Sequence, residues 1–574
     1  MAQTTRPGLS HLSWPGAADL PPDVADSLLG PGAPFELGEE QVLGHAHTVF
    51  LRRPRTLRQA LESQRGNAPD LPFLVSPERV WSYREAIEDI DALAVLLRER
   101  YGVGVGDRVA IVAANDAEYA ILMWAVVTLG GIITSLNGWW TTPELDYGLE
   151  LAAPTLVAGD ARRLARLRDS SRAAALPVRR FDELRAQARE FAGRAPAPAA
   201  STEDTPAVIV FTSGTTGRPK GATLSHRNIL GGTMFGRLRT ALALALRPAS
   251  AEPPSSSPPP QAGMLVSSPM FHVSGLAGIF ITGTSTSSKL VFAPAGPWDP
   301  AVTMRLTAEH RITAWSGVPT QFWRILRHPD IETYDLRSLV SVGSGGAVFA
   351  PELVRALHDR FPGIALGNGY GMSETAGLGT QISGGPFLES PDSVGSPIPT
   401  TEIEIRGEGG EVVPAGEVGE IHLRSPSVFL GYWENPAATE EVLDGNRWYR
   451  TGDYGSVAGG RLYLHSRRRD LILRGGENIY PIEIENRLIE HPDIADVTVI
   501  GVDHAELGQE VKAFVVPRDG AVLTVEQVRT WCASTLARFK IPALVEFRAS
   551  LPYTRTGKVL KNELEREERD RSRS

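Results

Sequence analysis

From about residue 56 the chain alternates strand-like and helix-like segments, and this alternation limits the possible folds more than any other feature. The segment RVWSYREAIEDIDALAVLLRER (79–100) predicts a short strand and then a helix that begins with a capping box at Ser82 and Glu85. DRVAIVAAN and PTLVAGD predict two further buried strands, with an apolar helix between them. Because strands that alternate with helices pair in parallel, we predict an α/β fold. Its large domain, residues 56–466, would have mainly parallel sheets flanked by helices.

The pattern changes near residue 466, where a run of charges is followed by an apolar strand, a glycine pair and a helix. Two further strands and a terminal helix follow, which indicates a small, mobile α+β domain over residues 467–574. Residues 1–55 are interpreted as an arm on the surface of the protein. The Pro/Ser-rich segment 247–263 has no periodicity and is interpreted as a disordered insertion, with a linker between two domains as the alternative.

A loop of small and hydroxyl-bearing residues follows the strand predicted at Val208–Phe211. In FTSGTTGRPKGA (211–222) the glycines Gly214 and Gly217 keep backbone N–H groups accessible, and such groups can hold an anion. The spacing matches neither the Walker A pattern G-x-x-x-x-G-K-[ST] nor the fingerprint G-x-G-x-x-G. The loop is therefore predicted to bind a polyphosphate in another way. Hydroxyl donors and one lysine complete its binding set: Thr212, Ser213, Thr215, Thr216 and Lys220.

Composition argues against several other classes of protein. A net charge of −9 makes nucleic acid an improbable partner. The single cysteine, Cys532, allows no disulfide framework and no cysteine-based metal cluster, which suits a cytoplasmic location. Cys532 itself is interpreted as structural. The N-terminal segment has no apolar h-region, so no secretory signal is expected. The most apolar stretch, Ala120–Ile133, is shorter than the ~20 residues of a membrane span and predicts a buried helix that runs into a strand.

Seven motifs that follow one another along the chain resemble the signatures of the adenylate-forming superfamily. The resemblance covers about residues 56–564 and points to the acyl-CoA synthetase, or fatty-acid–CoA ligase, branch. The seven motifs are TSGTTGRPKG (212–221), SPMFHVSG (268–275), GSGGA (343–347), GYGMSETAG (369–377), YRTGD (449–453), SRRRDLILRGGENIYPIEIE (466–485) and PYTRTGKVLKNEL (552–564).

The resemblance implies an ATP-dependent carboxylic acid–CoA ligase that works in two half-reactions. The acid would attack the α-phosphate of ATP to give acyl-AMP and pyrophosphate, and the acyl group would then pass to the thiol of CoA, releasing AMP. ATP, Mg²⁺ and CoA are the implied small molecules. An acyl-AMP ligase that loads a separate carrier protein is the alternative. A serine hydrolase and a zinc enzyme lack their motifs here, and a non-catalytic nucleotide-binding protein would be expected to lack Lys558, Glu374 or Asp453.

The resemblance also implies roles for residues around the nucleotide. Glu374 and Thr212 would hold Mg²⁺, for which carboxylate and hydroxyl oxygens are suitable ligands. Tyr370 would stack on adenine, and Asp453 and Arg467 would contact the ribose or the phosphates. The other residues expected to contact ATP or AMP are Ser213, Gly214, Thr215, Thr216, Gly217, Lys220, Gly345, Gly346, Ala347, Gly371 and Ser373.

The C-terminal motifs imply a catalytic lysine, a hinge and a path for CoA. Lys558 would stabilise the charge that develops in the adenylation transition state. Gly475 and Gly476 would leave a groove for the pantetheine arm of CoA. Arg469 stands at the hinge position, where the family usually has Asp or Lys. Ser466 replaces the glycine that the family usually has before Arg467, which leaves the register of this arginine run open.

His272 is expected near the pocket for the substrate carboxylate, either as a gate or as a hydrogen-bond partner of the acid. A histidine packed in the core is the alternative interpretation. Trp315 and Val318 of the segment WSGVPT suit a hydrophobic tail, and no charged residue in these motifs is placed to pair with an amino group. The expected substrate is therefore a fatty acid or another bulky hydrophobic acid.

Overall fold

The structure is a computed structural model, and the strands of its first 467 residues form three sheets. The residues that it describes are 20–197, 199–212, 219–246, 261–345, 349, 351–467, 470, 472–474, 477–504, 507–536, 538–553 and 559–573. The strands up to residue 467 are, in chain order, β1 (Leu37–Val42), β2 (His45–Phe50), β3 (Pro72–Val75), β4 (Val80–Ser82), β5 (Arg108–Val112), β6 (Ile132–Ser135), β7 (Leu156–Gly159), β8 (Val178–Arg180), β9 (Pro206–Thr212), β10 (Lys220–Ser225), β11 (Gly263–Leu265), β12 (Lys289–Val291), β13 (Ala314–Gly317), β14 (Ser341–Gly345), β15 (Ala365–Tyr370), β16 (Thr380–Ser383), β17 (Ser393–Pro397), β18 (Glu402–Arg406), β19 (Gly419–Arg424), β20 (Gly431–Tyr432), β21 (Tyr449–Ala458) and β22 (Arg461–Arg467).

The α-helices lie between these strands, as expected for an α/β fold. A π-helical segment, Ser274–Ile281, precedes one of them. The α-helices up to residue 467 are Pro22–Leu29, Leu57–Asn67, Tyr83–Tyr101, Ala117–Thr128, Thr142–Ala152, Ala161–Leu164, Phe181–Ala188, His226–Ala245, Thr282–Ser285, Pro300–His310, Pro319–Leu326, Pro351–Arg360, Gly385–Glu389 and Pro436–Glu440.

One sheet of the large domain has the strand order β20-β10-β9-β6-β5-β7-β8. The strands from β9 to β8 are parallel, whereas β10 and β20 are added antiparallel at one edge. Alternate residues of β5 enter two different cores, Val109 and Ile111 on one face and Ala110 and Val112 on the other. The sheet is therefore buried on both faces, which explains why its central strands read as continuous apolar runs.

The second sheet has the order β18-β19-β21-β22-β17-β16-β15-β14-β13-β11-β12-β3-β4. Its strands are parallel from β15 to β3 and antiparallel elsewhere. The α/β prediction is confirmed, but the sheets are mixed rather than mainly parallel. Most of the antiparallel strands in these two sheets lie within residues 380–467, and β10 and β4 supply the others.

The core between these sheets contains the two helices Tyr83–Tyr101 and Ala117–Thr128. The first begins with the predicted capping box at Ser82 and Glu85, and the ring of Tyr83 stacks on Phe73 with 4.1 Å between centroids. The second helix is buried on all sides except at Glu118, which accounts for its apolar sequence. No helix in the described part of the chain is both long enough and apolar enough to cross a membrane.

Residues 20–55 hold the helix Pro22–Leu29 and the antiparallel pair β1–β2. Phe35 and Phe50 pack against the helix His226–Ala245, which follows β10. Arg53, whose side chain is only 3% exposed, donates from Nε to Glu203 at 2.7 Å and from Nη2 to Glu40 at 2.7 Å. Buried ion pairs thus join this region to the segment just before β9.

The predicted insertion at 247–263 is only partly within the described residues. Residues 247–260 lie outside them. Gly263 begins β11, which pairs in parallel with β12, so the sheet resumes earlier than the sequence pattern indicated.

Beyond residue 467 the chain forms a separate small sheet with helices, as predicted. Four strands have the order β24-β23-β26-β25, and β27 pairs with β26. Cys532 lies in this unit's core, fully buried, and burial raises the pKa of its thiol to about 11. The elements are β23 (Ile472–Arg474), β24 (Glu477–Ile479), β25 (Ile494–His504), β26 (Gly508–Pro517) and β27 (Leu544–Phe547), with the helices Pro481–Ile489, Val525–Ala533 and Lys561–Arg573.

Candidate active site

A cavity of about 2970 Å³ brings together residues of six of the seven predicted motifs, two of which belong to the small domain. The large domain lines it with the ends of β9, β10, β13 and β15, and the small domain with the helix Pro481–Ile489 and the start of β25. The predicted site residues that line the cavity are Thr212, Lys220, His272, Gly371, Ser373, Glu374 and Asp453.

The described residues of the phosphate-loop motif, 212 and 219–221, lie where the antiparallel strands β9 and β10 end and begin. Thr212 and Lys220 are directly paired across this hairpin, and residues 213–218 between them lie outside the described residues. β9 spans Pro206–Thr212, so it contains the predicted strand Val208–Phe211 and extends it at both ends. The hairpin therefore presents the hydroxyl of Thr212 and the ammonium of Lys220 at one rim of the cavity.

Glu374 lies beside this rim, in the short turn Ser373–Thr375 that packs against β9 and β10. Its side chain is 7% exposed, and its Oε1 accepts a hydrogen bond from the hydroxyl of Tyr432 at 2.7 Å. Lys220 Nζ lies 5.0 Å from the centre of the Tyr432 ring. Burial and the neighbouring Glu374 carboxylate raise the pKa of Tyr432 above its usual value, so Tyr432 remains a hydrogen-bond donor.

Tyr432 was not among the residues that the sequence predicted. It lies in β20, which pairs with β10 so that Tyr432 stands opposite Ala222. No local pattern in the sequence reveals this contact, because the two strands are about two hundred residues apart in the chain.

Tyr370 and Asp453, both predicted around adenosine, contact each other directly. The hydroxyl of Tyr370 donates to Asp453 Oδ2 at 2.8 Å, and both residues are nearly buried. The Tyr370 ring packs in a core cluster with Val394 and Ile421 and is not among the cavity-lining residues, so its contact with adenine stays a prediction. Asp453 stands opposite Arg467 in the β21–β22 pair, which places the backbones of the two predicted ribose contacts side by side.

The glycine-rich motifs bring backbone close to this side of the cavity. Gly345 ends β14 opposite Gly369 in β15. At Gly371 a Cβ atom would lie 2.5 Å from the backbone of Gly377, so the turn that carries Glu374 requires glycine at this position. Gly369 and Gly371 both line the cavity.

His272 lies at the entrance to the π-helical segment, on another part of the cavity wall. Its ring is 4.7 Å from that of Phe271, which in turn makes an edge contact with Trp139 at 5.0 Å. Burial lowers the pKa of His272 to about 4, so the imidazole is neutral at physiological pH. Val318 lines the same cavity, whereas Trp315 is buried in the core and donates from its indole to Thr307.

Several predicted residues lie outside the described part of the chain, and the structure gives no position for them. Arg467 is described as part of β22 by its backbone pairing alone. The residues outside the described part are Ser213, Gly214, Thr215, Thr216, Gly217, Gly346, Ala347, Arg469, Gly475, Gly476 and Lys558.

The donor set at Glu374 fits a magnesium ion bound largely by a nucleotide. Among the described residues no group of three or more His, Cys, Asp or Glu side chains could hold a metal ion alone. Glu374 and Thr212 instead offer two hard oxygen donors on one rim of the cavity. Mg²⁺ commonly takes one or two protein oxygens and completes its octahedral shell with phosphates and water.

Comparison with known proteins agrees with this fold. Residues 61–433 match the family model of the AMP-binding enzymes, and residues 483–558 match that of the AMP-binding enzyme C-terminal domain. A feruloyl-CoA synthase from Amycolatopsis sp is 34% identical over 487 residues, which cover 84% of this chain and 93% of that protein. A long-chain-fatty-acid–CoA ligase from Bacillus subtilis (strain 168) is 31% identical over 555 residues, covering 90% of this chain and 95% of that protein.

A solved structure shows the same architecture. The crystal structure of ATP-bound MatB from Rhodopseudomonas palustris superposes with a TM-score of 0.78 at 29% identity, and the match covers 90% of this chain and 99% of that one. The fold and the site thus define an adenylate-forming enzyme. The chain belongs to the AMP-binding enzyme family, in its acyl-CoA synthetase branch, and is an AMP-forming acid–CoA ligase.

Proposed function

We propose that this enzyme activates a fatty or other bulky hydrophobic monocarboxylic acid with ATP and transfers the acyl group to CoA. The observation that carries the proposal is the shared cavity. One part of the cavity wall contains Lys220 and Glu374, another contains Asp453, and a third contains His272 among aromatic and aliphatic side chains. Nucleotide, metal and acid would therefore meet in one space.

In the first half-reaction the protein would position reactants and neutralise charge. The carboxylate oxygen of the acid attacks the α-phosphorus of ATP, and the bond to the bridging oxygen of pyrophosphate breaks. Lys220 and the N–H groups of residues 213–218 would bind the β- and γ-phosphates, and Glu374 with Thr212 would hold Mg²⁺ on them. Lys558 would approach the α-phosphate and stabilise the transition state.

The wall around His272 supports a hydrophobic acid. Phe271, Trp139 and Val318 line the cavity near it, and the neutral imidazole can donate one hydrogen bond to the carboxylate without a full counter-charge. The relatives of this chain include enzymes named for ferulate and for long-chain fatty acids. Both names fit a pocket that accepts a large apolar tail.

In the second half-reaction the thiol of CoA would attack the acyl carbon, and AMP would leave. We assign the pantetheine path to Gly475 and Gly476 and the hinge to Arg469, as the resemblance implies, and we place the enzyme in the cytoplasm. A thiol on a separate carrier protein is the competing acceptor. Pyrophosphate release and product formation with and without CoA distinguish the two acceptors.

Acid-dependent pyrophosphate release from ATP tests the function. The panel would contain ferulic acid, indole-3-acetic acid, palmitic acid, malonic acid and phenylalanine, each with and without CoA, beside the Lys558→Ala variant. We expect sustained release and an acyl-CoA product with a hydrophobic acid, and at least a hundredfold less with the variant. Acyl-AMP that CoA does not discharge would favour a carrier protein, and no release with any acid would contradict the proposal.

A further inference from the structure

The small domain contributes its own wall to the cavity, through Glu485, Asp496 and Tyr553 among others. Asp496 lies at the start of β25, and Glu485 lies on the preceding helix. Tyr553 comes immediately before residues 554–558, the segment that ends in Lys558. All three side chains line the cavity, and Tyr553 is also close in sequence to the lysine expected to be catalytic.

Tyr553 is fixed to Asp496 by a hydrogen bond in which its hydroxyl donates to the carboxylate oxygen Oδ2. The other oxygen of Asp496 accepts the backbone N–H of Val497 at 2.9 Å, which sets the orientation of the carboxylate. Both side chains are half-buried, so this charge-assisted bond is partly shielded from water. The ring of Tyr553 packs at the edge of the small domain's second core cluster.

The chain on the two sides of residues 554–558 is closed by backbone contacts. Tyr553 and Val559 form an antiparallel bridge, and Leu560 N–H donates to the carbonyl of Pro552 at 2.8 Å. Val559 is the chain neighbour of Lys558. Whatever holds Tyr553 in place therefore also holds the residue next to the lysine.

A second anchor follows the segment. Lys561 Nζ lies 2.8 Å from Glu485 Oε1 and donates to the carbonyl of Val499 at 3.0 Å. The same Glu485 oxygen accepts the N–H of Val499 at 2.8 Å and the hydroxyl of Thr498 at 3.1 Å. Lys561 and Tyr553 thus attach the two flanks of the segment to one strand, β25, and the helix before it.

We propose that Tyr553 and Asp496 are positioning residues for the adenylation half-reaction, because their hydrogen bond fixes the flank of the segment that carries Lys558. This inference rests on the proposed function, in which Lys558 acts on the α-phosphate of ATP. Positioning of this kind matters because a displacement of about 1 Å at a catalytic group costs roughly a hundredfold in rate. The acyl transfer to CoA does not use Lys558 and should not depend on the pair.

The two half-reactions can be measured separately on the full-length protein. Adenylation is followed by acid-dependent exchange of pyrophosphate into ATP, with the acid of the panel that gives turnover. Acyl transfer is followed with the synthetic adenylate of that acid and CoA. The variants are Tyr553→Phe, Asp496→Ala, the double variant and Lys558→Ala. Tyr334→Phe is the matched control, since this half-buried tyrosine has no hydroxyl partner among the described residues and lies outside the cavity.

We expect Tyr553→Phe and Asp496→Ala each to lower the exchange rate about tenfold, which corresponds to one charge-assisted hydrogen bond. Because the two residues act through one bond, the double variant should lose little more than either single variant. The rate of acyl transfer should change by less than about twofold. The midpoint of urea unfolding should stay near that of the wild type.

Two results would overturn the inference. An equal loss in both half-reactions would mean that the pair supports the fold generally, and an unchanged exchange rate would mean that it positions nothing. The Lys558→Ala variant reports on the underlying function separately. If that variant keeps full exchange activity, the role of Lys558 is wrong and the inference fails with it, whereas its loss beside an active Tyr553→Phe enzyme rejects the inference alone.

Discussion

The hydroxyl of Tyr432 links two parts of the site that are far apart in sequence. It donates to Glu374 while the Tyr432 ring lies beneath Lys220, so one side chain contacts both the expected metal ligand and the phosphate-loop lysine. Phe429 makes an edge contact with this ring, with 4.9 Å between centroids, and Phe429 in turn packs against Tyr449 at 5.6 Å, which restrains the Tyr432 ring. The carboxylate of Glu374 is therefore oriented before any nucleotide binds.

Removing this hydroxyl tests that orientation. In Tyr432→Phe the ring and its contact with Lys220 remain, but Glu374 loses one hydrogen bond, and we expect adenylation to fall about tenfold with a higher Mg²⁺ requirement. Pyrophosphate release at several Mg²⁺ concentrations measures both effects.

Two comparisons make that result specific. Glu374→Gln keeps an acceptor for Tyr432 but removes the charge, and should cost about a hundredfold or more. Tyr119→Phe removes the hydroxyl of another buried tyrosine, which bonds to Ser135 away from the cavity, and should leave the reaction rate unchanged. Full activity in Tyr432→Phe would show that the hydroxyl has no part in metal binding.

At the residue scale, the motifs named residues that the fold brings to one cavity, and their roles there stay predictions. Glu374, Asp453, His272 and Lys220 were named from sequence, and all four line one cavity. The partners that orient them were not found. Tyr432 reaches Glu374 only because β20 pairs with β10, and such a long-range pairing leaves no periodic signal in either segment.

At the scale of elements, the turn Ser373–Thr375 shows how backbone constraint fixes the side chain of Glu374, the proposed metal ligand. Gly371 lies at the entrance to this turn, where the backbone of Gly377 is too close to leave room for a side chain. We expect Gly371→Ala to shift the turn, displace Glu374 and lower adenylation by at least tenfold. The control is Gly232→Ala, in the helix His226–Ala245, where a Cβ atom would meet nothing within 4 Å. This substitution should stabilise the helix slightly.

Residues 20–55 are joined to the large domain by charge as well as by apolar packing. Arg53 and Glu203 are nearly buried, and Arg227 of the helix His226–Ala245 binds the same Glu203 at 2.8 Å. Removing one member of a buried pair leaves the others without compensation. We expect Arg53→Ala to lower the free energy of unfolding by about 3 kcal/mol, measured in urea.

The matched control for that measurement is Arg305→Ala. Its ion pair with Glu309 is about half exposed on both sides, and exposed pairs of this type contribute little to stability. Equal effects of the two substitutions would mean that burial of the Arg53 network has no energetic consequence.

Elements were predictable from sequence where one face or both faces of a segment are consistently apolar. The capping box, the buried helix Ala117–Thr128 and the strands β5, β7 and β9 all follow their local patterns. The long antiparallel extension from β16 to β22 was not foreseen. The pattern of a strand reports which of its faces are buried and not which strands lie beside it, so the sequence of each strand does not state which neighbour it has.

The whole molecule carries a pH dependence to which buried histidines contribute, and two of them, His47 and His226, lie outside the cavity that contains His272. His47 and His226 are 2% and 1% exposed, and burial lowers the pKa of each to about 4. Unfolding returns them to about 6.5, so the unfolded chain binds more protons between these values. Their contribution to stability is complete above pH 6.5 and is lost as the pH falls toward 4.

The expected size of this loss is roughly 2–3 kcal/mol per histidine between pH 7.5 and 4.5. Urea midpoints at the two pH values measure it, and His47→Gln should make the drop shallower by about that amount. His358→Gln, at an exposed site, is the control. Glu40, whose pKa Arg53 holds at about 2, loses its contribution mainly below pH 4.5 and so does not obscure the result. A drop that His47→Gln leaves unchanged would contradict the prediction.

The burial of Cys532 has a practical consequence for following catalysis. Thiol reagents attack the thiolate, and the only cysteine of the chain is fully buried with a pKa near 11. A chromogenic disulfide added to aliquots of a reaction will therefore report free CoA with almost no background from the protein. The disappearance of that colour gives the rate of thioester formation directly, at enzyme concentrations high enough to resolve a single turnover.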